Sequence, residues 1–434
     1  MNYYYAFVAF FLCTFCAHNS AEEQKTATTL SVKAEKTVVT SLLIIVLEKE
    51  STLTAEVSDA IKRVFEFTGQ FSVAIEYHKE RLKKQAVIDL QGEYDFVLFL
   101  NENKNEHAYE WRLYDTYKAV MQKGFRVHKD GKLARGWGYA IADSLLPFVT
   151  GNAPFSSCKL VYCQKEKHGE TLICVADFDG SFPVILARSK TTLIAPCWNK
   201  DPDNPLVLFS KYTPSNVQLI ASTLSGTQSV AINFDGLTMQ PAFSSDGKEV
   251  AISLALNGSN QIYYYGYDAA AKKIKYTQVT ANKGVNIKPC FLENGDLVFC
   301  SDYELGKPQL YHFKKSDSSL TRITSNEVSL SPDYCTKNKK LVYSKLIKGC
   351  MQLCTYDFGT KKETQITFDK GHKQDCSWSC CGNYVIYSYQ EQNQHRLAVY
   401  SFLTKKQKFL TDGSKICSYP SWSILYRPFP VIGS

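Results

Sequence analysis

Beyond its first twenty residues the 434-residue chain has no stretch apolar enough to cross a membrane as a helix, which takes about 20 such residues. The G-x-S-x-G, G-x-x-x-x-G-K-[ST] and H-E-x-x-H patterns are also missing. Those absences remove the hydrolase nucleophile elbow, the phosphate-cradling P-loop and the zincin helix. No single-sign charge block occurs: 50 basic against 42 acidic residues leave a net +8 spread along the chain. With no zinc-finger, helix-turn-helix or RNA-binding pattern beside it, that charge describes a mildly basic surface and no nucleic-acid footprint. The eight histidines are scattered. Cys350-x-x-x-Cys354 and the Cys376, Cys380, Cys381 cluster lack the paired spacing and nearby histidine of zinc sites. Asp177-Phe-Asp179-Gly180 and Asp201-Pro-Asp203 lack the later glutamate of a calcium loop and read as turns. No catalytic residue, metal or cofactor is expected.

The first 20 residues are the exception to the lack of apolar runs. Tyr3–Cys16 is a largely apolar run too short to span a membrane and suited to a signal-peptide core. No Lys or Arg precedes it. Cys16 raises lipidation, which the bulky Phe15 just before it opposes. Residues 1–20 are therefore expected to direct export, and 21–40, polar and without period, to form a flexible arm. Fifteen cysteines fit an exported chain. Cys290 with Cys300, and Cys163 with Cys417, are placed where strands could pair them. The same positions suit small buried hydrophobes, and the sequence leaves both readings open.

What is abundant is repetition. Segments IAPCWNKD (194–201), MQPAFSSDG (239–247), IKPCFLENG (287–295), LSPDYCTKN (330–338), KQDCSWSCCG (373–382) and CSYPSWS (417–423) recur with anchors Pro196, Pro241, Pro289, Pro332, Asp375 and Pro420. Each heads a set of short strands, and a period in the forties built of such strands predicts a β-propeller. Residues 159–187 supply the second, third and fourth strands of a blade but no first. PSWS (420–423) is a first strand with nothing after it. The two fragments complete one blade, giving six, and pairing the terminal strands leaves no open edge at the seam. Trp198, Trp378 and Trp422 share one position with Phe243, Phe291 and Tyr334. Because the register repeats in every blade, inter-blade packing is expected there.

Residues 41–150 alternate in character. LLIIVLEK (42–49) reads as a buried strand, and AEVSDAIKRVFEFTG (55–69) as a helix with Val57, Ile61, Val64 and Phe65 on one face, stopped by Gly69. Further strands are expected at 71–77, 95–101, 107–117 and 124–129, a helix at 80–90, and a closing helix at 131–151 ended by Pro147 and Gly151. Gly136 and Gly138 fall inside that last helix, with no strand leading in, so they are no dinucleotide fingerprint. The expected whole is an α/β plus all-β chain: a small N-terminal α/β domain (41–152) followed by a six-bladed β-propeller (153–434) closed by its terminal strands.

The junction ADSLLPFVTGNAPFSSCKLVYCQK (142–165), the strand CVADFDG (174–180), the repeat PAFSSDGKEVAIS (241–253) and the terminal PSWS resemble the TolB family, the periplasmic propellers of the bacterial Tol–Pal system. The resemblance covers about 41–434, domain order included. It implies a periplasmic protein–protein scaffold and not an enzyme. Its implied partners are the lipoprotein Pal, at one mouth of the propeller, and TolA, through the N-terminal region. Such a scaffold would be a monomer with no direct membrane insertion, supporting outer-membrane integrity and cell division. Carried onto this sequence, the partner-binding candidates are Leu237 and Gln240 ahead of Pro241, and Ile287 and Lys288 ahead of Pro289. The arm at 21–40 matches the family's TolA-binding segment in position only. The rival expectation is an exported propeller that binds a small ligand, sugar or peptide, or acts as a hydrolase, in its central channel.

Overall fold

The computed structural model describes residues 39–47, 52–79, 84–118, 120–128, 133–167, 169–201, 203–234, 238–256, 259–268 and 273–424. The expected signal peptide, all but the end of the arm, and Leu237 lie outside them.

The N-terminal region is a five-stranded sheet in the order β2-β1-β3-β4-β5. Its strands are β1 (Thr40–Leu47), β2 (Phe71–His78), β3 (Phe96–Asn103), β4 (Ala108–Asp115) and β5 (Val120–His128). β1 pairs in parallel with β2 and β3, while β3–β4 and β4–β5 are antiparallel. The continuous apolar run of β1 follows from burial on both faces. Leu42, Ile44 and Val46 pack in one cluster with Val57, Ile61, Val64 and Phe65 of α1 (Thr52–Phe67) and with Ile141 and Leu145 of α3 (Ala134–Thr150). Leu43, Ile45 and Leu47 meet Val87 of α2 (Lys84–Asp89) on the other side. Each such fully buried aliphatic side chain contributes about 1.5–3 kcal/mol.

The closing helix ends at Gly151 as expected, but Pro147 does not stop it. It runs through Pro147 to Thr150, and Gly151, at φ 70°, caps it with its N–H on the Pro147 carbonyl at 3.1 Å. Pro147 sits in the last turn and has no N–H for the Asp143 carbonyl, so the helix continues past it one hydrogen bond short. Gly138 has a packing role. A Cβ there would lie 2.6 Å from Ala60 Cβ and from the Val57 carbonyl oxygen, so its bareness lets α1 and α3 approach closely.

From α3 the chain enters the ring through a turn built on one carboxylate. Asp143 Oδ1 accepts from the backbone N–H groups of Phe155 (2.9 Å) and Ser156 (2.8 Å), and Oδ2 from that of Ser157 (2.9 Å). Nearby, buried Asp177 takes Tyr139 Oη (2.7 Å), Arg135 Nε (3.0 Å) and the Lys159 ammonium. Phe67, Phe155, Phe178 and Tyr384 join the two regions in one aromatic cluster, with ring centroids 5.0–5.7 Å apart.

The ring has six four-stranded sheets. Five are consecutive: β9–β12 (193–234), β13–β16 (238–278), β17–β20 (286–322), β21–β24 (329–365) and β25–β28 (372–409). The sixth is composite, with β29 (Ile416–Trp422) against β6 (Lys159–Lys165), followed by β7 (Thr171–Asp177) and β8 (Val184–Ser189). The ring is thus closed as strand counting expects, with Trp422 opposite Leu160 and Cys417 opposite Gln164. Each blade buries its face on its neighbour. Val342 and Leu353 of one blade, for example, pack with Val385, Tyr387 and Ala398 of the next.

All thirteen cysteines among the described residues are thiols, most of them buried. The pairings considered from sequence do not form. Cys163 faces Ser418 while Cys417 faces Gln164. That offset of one residue sends the two side chains to opposite faces of the sheet, into different clusters. A register shift places Cys290 opposite Val298 and Cys300 opposite Ile287, and both serve as small hydrophobes in one inter-blade cluster.

Candidate partner-binding site

The innermost strands of the six blades are β9 (Leu193–Trp198), β13 (Thr238–Phe243), β17 (Asn286–Phe291), β21 (Ser329–Cys335), β25 (His372–Trp378) and β29. Each shows a register shift against its second strand at the repeated anchor. Proline recurs there because a bulge removes one backbone N–H from the ladder, and proline has none to offer. The residue ahead of the bulge is left-handed: Ala195 (φ 54°), Lys288 (φ 51°), Ser331 (φ 55°) and Tyr419 (φ 53°) precede prolines, and Asp375 (φ 51°) precedes Cys376. Positive φ in non-glycine residues is uncommon. Here it turns the Lys288, Ser331, Asp375 and Tyr419 side chains into the channel.

Four of these side chains meet. The Lys288 ammonium pairs with the Asp375 carboxylate, donates to Ser331 Oγ at 3.1 Å and lies 5.3 Å from the Tyr419 ring centroid. Ser388 Oγ donates to Asp375 Oδ2 at 3.4 Å and accepts the Tyr419 N–H at 3.0 Å. The Lys288 and Asp375 side chains are 15% and 16% exposed. The pair joins two blades that share no ladder, across the channel.

Beyond this polar plug the channel holds a cavity of about 290 Å³, lined by Trp198, Phe243, Phe291, Tyr334, Trp378 and Trp422 together with Lys200 and Asp333. Every blade gives one aromatic, so the shared position serves two surfaces at once: blade packing, as expected, and the cavity wall. Trp198 Nε1 donates to the Ser421 carbonyl at 3.2 Å. The buried indole N–H groups of Trp378 and Trp422 find no acceptor among the described residues. The Asp333 carboxylate accepts the Trp378 backbone N–H at 2.6 Å, and burial nonetheless pushes its pKa up.

Of the residues singled out from sequence, Lys288 lines the cavity. Ile287 instead packs against the inter-blade cluster of Cys290, Cys300 and Tyr343. Gln240 belongs to β13, with its side chain outside what the structure describes, and Leu237 lies outside the described residues. Ser331 and Tyr419 were missed, although they hold the pre-anchor position that marked Lys288. Asp375 was taken as an anchor, and the structure moves that anchor one residue on, to Cys376, which leaves Asp375 in the pre-anchor position.

Among the described residues no group of three or more His, Cys, Asp or Glu is arranged to hold a metal. The aspartates of both calcium-like fragments are engaged otherwise. Asp177 and Asp179 face Arg135, Lys159 and Arg63. Asp201 Oδ1 accepts the N–H groups of Asp203 (2.9 Å) and Asn204 (3.2 Å) in a turn. No described helix is long and apolar enough to cross a membrane.

Comparison with known proteins places these features among relatives. Residues 148–426 match the family described as the TolB beta propeller domain. A Tol-Pal system protein TolB of Francisella tularensis subsp. mediasiatica is 26% identical over 298 residues, covering 64% of this chain and 66% of the relative. One from Francisella tularensis subsp. holarctica is 27% identical over 268 residues, covering 57% and 59%. The chain therefore spans just under two thirds of the length of such curated relatives. The crystal structure of TolB from Acinetobacter baumannii superposes with a TM-score of 0.73 at 20% identity, over 89% of this chain and 97% of that one, and so shares the fold.

Proposed function

The chain belongs to the TolB β-propeller family, and from that premise we propose that it is a non-catalytic protein–protein scaffold of the Tol–Pal type, acting in the periplasm. Its propeller binds the lipoprotein Pal at a mouth of the central channel, and its N-terminal region, residues 21–40, contacts TolA. The observation that carries the reading is the channel itself. The side chains of Lys288, Ser331, Asp375 and Tyr419, placed by the bulges, meet there, beside a pocket whose wall is aromatic in every blade. A wall of this kind, with a few polar groups at its centre, is the composition of protein-binding hot spots. Gln240, Ile287 and Lys288 stand at or beside that ring, and Leu237 precedes it in sequence.

Calorimetric titration of the full mature chain with the soluble domain of Pal tests the proposal. Saturable binding that weakens at least tenfold in Lys288→Glu supports it. No heat of binding, with the fold intact by circular dichroism, sinks it. A small polar ligand in the channel is the second reading, favoured by the two unpaired indole N–H groups. Displacement of such a ligand from the purified protein, with no response to Pal, would select it.

A further inference from the structure

Cys158 and Cys380 lie 222 residues apart in sequence, and their Sγ atoms approach to 3.0 Å. Even carbon atoms, smaller than sulfur, pack no closer than about 3.5 Å without bonding. The contact is the one Sγ···Sγ approach within hydrogen-bonding reach among the described residues. Its place in the fold is specific. Cys158 follows the turn held by Asp143 and precedes β6, while Cys380 lies in the turn between β25 and β26 (Tyr384–Glu391). Around them, Cys380 Sγ faces the Pro154 carbonyl at 3.7 Å, and Asn383 Nδ2 donates to Asn152 Oδ1 at 3.1 Å. The linker and the neighbouring blade are already in register before any bond forms.

We infer that Cys158 and Cys380 form an oxidisable dithiol, whose disulfide fastens the inter-domain linker to the fifth consecutive blade. The oxidant is a disulfide of the glutathione or dithiol-exchange-enzyme class. Cys380, partly exposed, meets it first. The Cys380 thiolate attacks one sulfur of that disulfide, forming a mixed disulfide and expelling a thiolate. Cys158, having lost its proton to solvent, then attacks Cys380 Sγ and expels the second thiolate. Two protein thiols thereby lose two electrons and two protons, and one external disulfide becomes two thiols. Burial with Cys380 alongside pushes the Cys158 thiol upward, which opposes the second step, while the closeness of the two sulfurs favours it.

The pairing differs from those weighed on sequence grounds. Cys163 and Cys417 are turned apart by register, whereas Cys158 and Cys380 belong to no common ladder and are brought together by ring closure. The link would close a very long loop, the case in which a cross-link restricts the unfolded chain most.

The test uses the full mature chain, equilibrated natively with oxidised glutathione, acid-quenched, alkylated and digested with trypsin without reduction. Cleavage after Arg135, Lys159, Lys373 and Arg396 isolates Cys158 in residues 136–159, and Cys376, Cys380 and Cys381 in 374–396. The expected product is these two peptides joined, with fragment ions assigning the bond to Cys380. The joined mass should disappear in Cys380→Ser and persist in Cys381→Ser. Should either variant fail to fold, the fragment ions of the parent decide alone. Recovery of both cysteines as alkylated thiols, or of Cys158 bonded to Cys376 or Cys381, overturns the inference.

Discussion

The junction and the channel both hold charge away from bulk water, and they hold it differently. At the junction Asp177, its side chain 2% exposed, is shared by Arg135 and Lys159, with Arg63 at 4.0 Å. Tyr139 adds a hydrogen bond at 2.7 Å. In the channel, one lysine meets one aspartate at 15–16% exposure. Several cations around one deeply buried anion make a structural network, because losing the anion strands all of them. A lone, partly wetted pair strands only one group, and that group can turn to water or to a partner. The comparison separates charge that fixes the domains from charge that can be exchanged.

The severest way to break this contrast is Asp177→Ala. It removes the common acceptor of Arg135, Lys159 and Tyr139, and burial already lowers the Lys159 pKa. The expected loss is about 3–5 kcal/mol of stability, read by urea unfolding. A loss under about 1 kcal/mol would put the junction in the same class as an ordinary surface pair. Asp143→Ala comes next. It leaves the N–H groups of Phe155, Ser156 and Ser157 without their carboxylate. The expected loss is about 2 kcal/mol, in the range for hydrogen bonds to a charged group. Amide exchange should speed up at 155–157 first, and an unchanged rate there would show that water replaces the carboxylate at no cost.

The two regions were unequally legible in the sequence. Ring closure could be counted, because strand type is a local pattern and each blade repeats it. The α/β alternation was legible for the same reason, down to the helical face of Val57, Ile61, Val64 and Phe65 and the stop at Gly69. The bulge was visible as its proline; in the blade of β25, where no proline stands, the spacing of the repeat set the anchor one residue early, at Asp375 instead of Cys376. What stayed hidden depends on positions set only when the ring closes. Lys288 reaches Asp375 across the channel and past an intervening blade, and no local period records that distance. Cys163 and Cys417 looked like partners until a one-residue offset in the β29–β6 ladder turned them apart. Cys158 and Cys380 looked unrelated for the converse reason. Pro147 is a helix breaker by rule, yet the helix continues past it to Thr150, and Gly151 supplies the cap.

A gentler probe works inside the channel. Lys288→Ala and Asp375→Ala, singly and together, form a double-mutant cycle for a pair whose groups are each about 15% exposed. The expected coupling is about 1 kcal/mol, well below the junction effect, with the double variant close to the better single one. Coupling of 3 kcal/mol or more would mean that the plug is as structural as the junction, and the exchangeable character assigned to the channel would fail.

The smallest effect expected has the opposite sign and comes from the same cavity. Burial raises the Asp333 pKa, although the Trp378 N–H at 2.6 Å and the charge of Lys200 favour the ionised form. A carboxyl whose folded pKa lies above its unfolded value, about 3.9, binds more protons folded than unfolded in the interval between the two. Its contribution to stability is therefore complete below the unfolded value and declines as pH rises toward the folded one. At neutral pH, above the unfolded value, the buried carboxyl is therefore a net cost that the fold carries. Asp333→Asn keeps an oxygen for the Trp378 N–H and removes that cost. The variant should melt slightly higher than the parent at pH 7, with the gain vanishing below about pH 3.9, where both side chains are neutral. A variant less stable than the parent at pH 7 would show that Lys200 and the Trp378 N–H outweigh burial. The channel would then hold a second working charge, and the contrast with the junction would narrow.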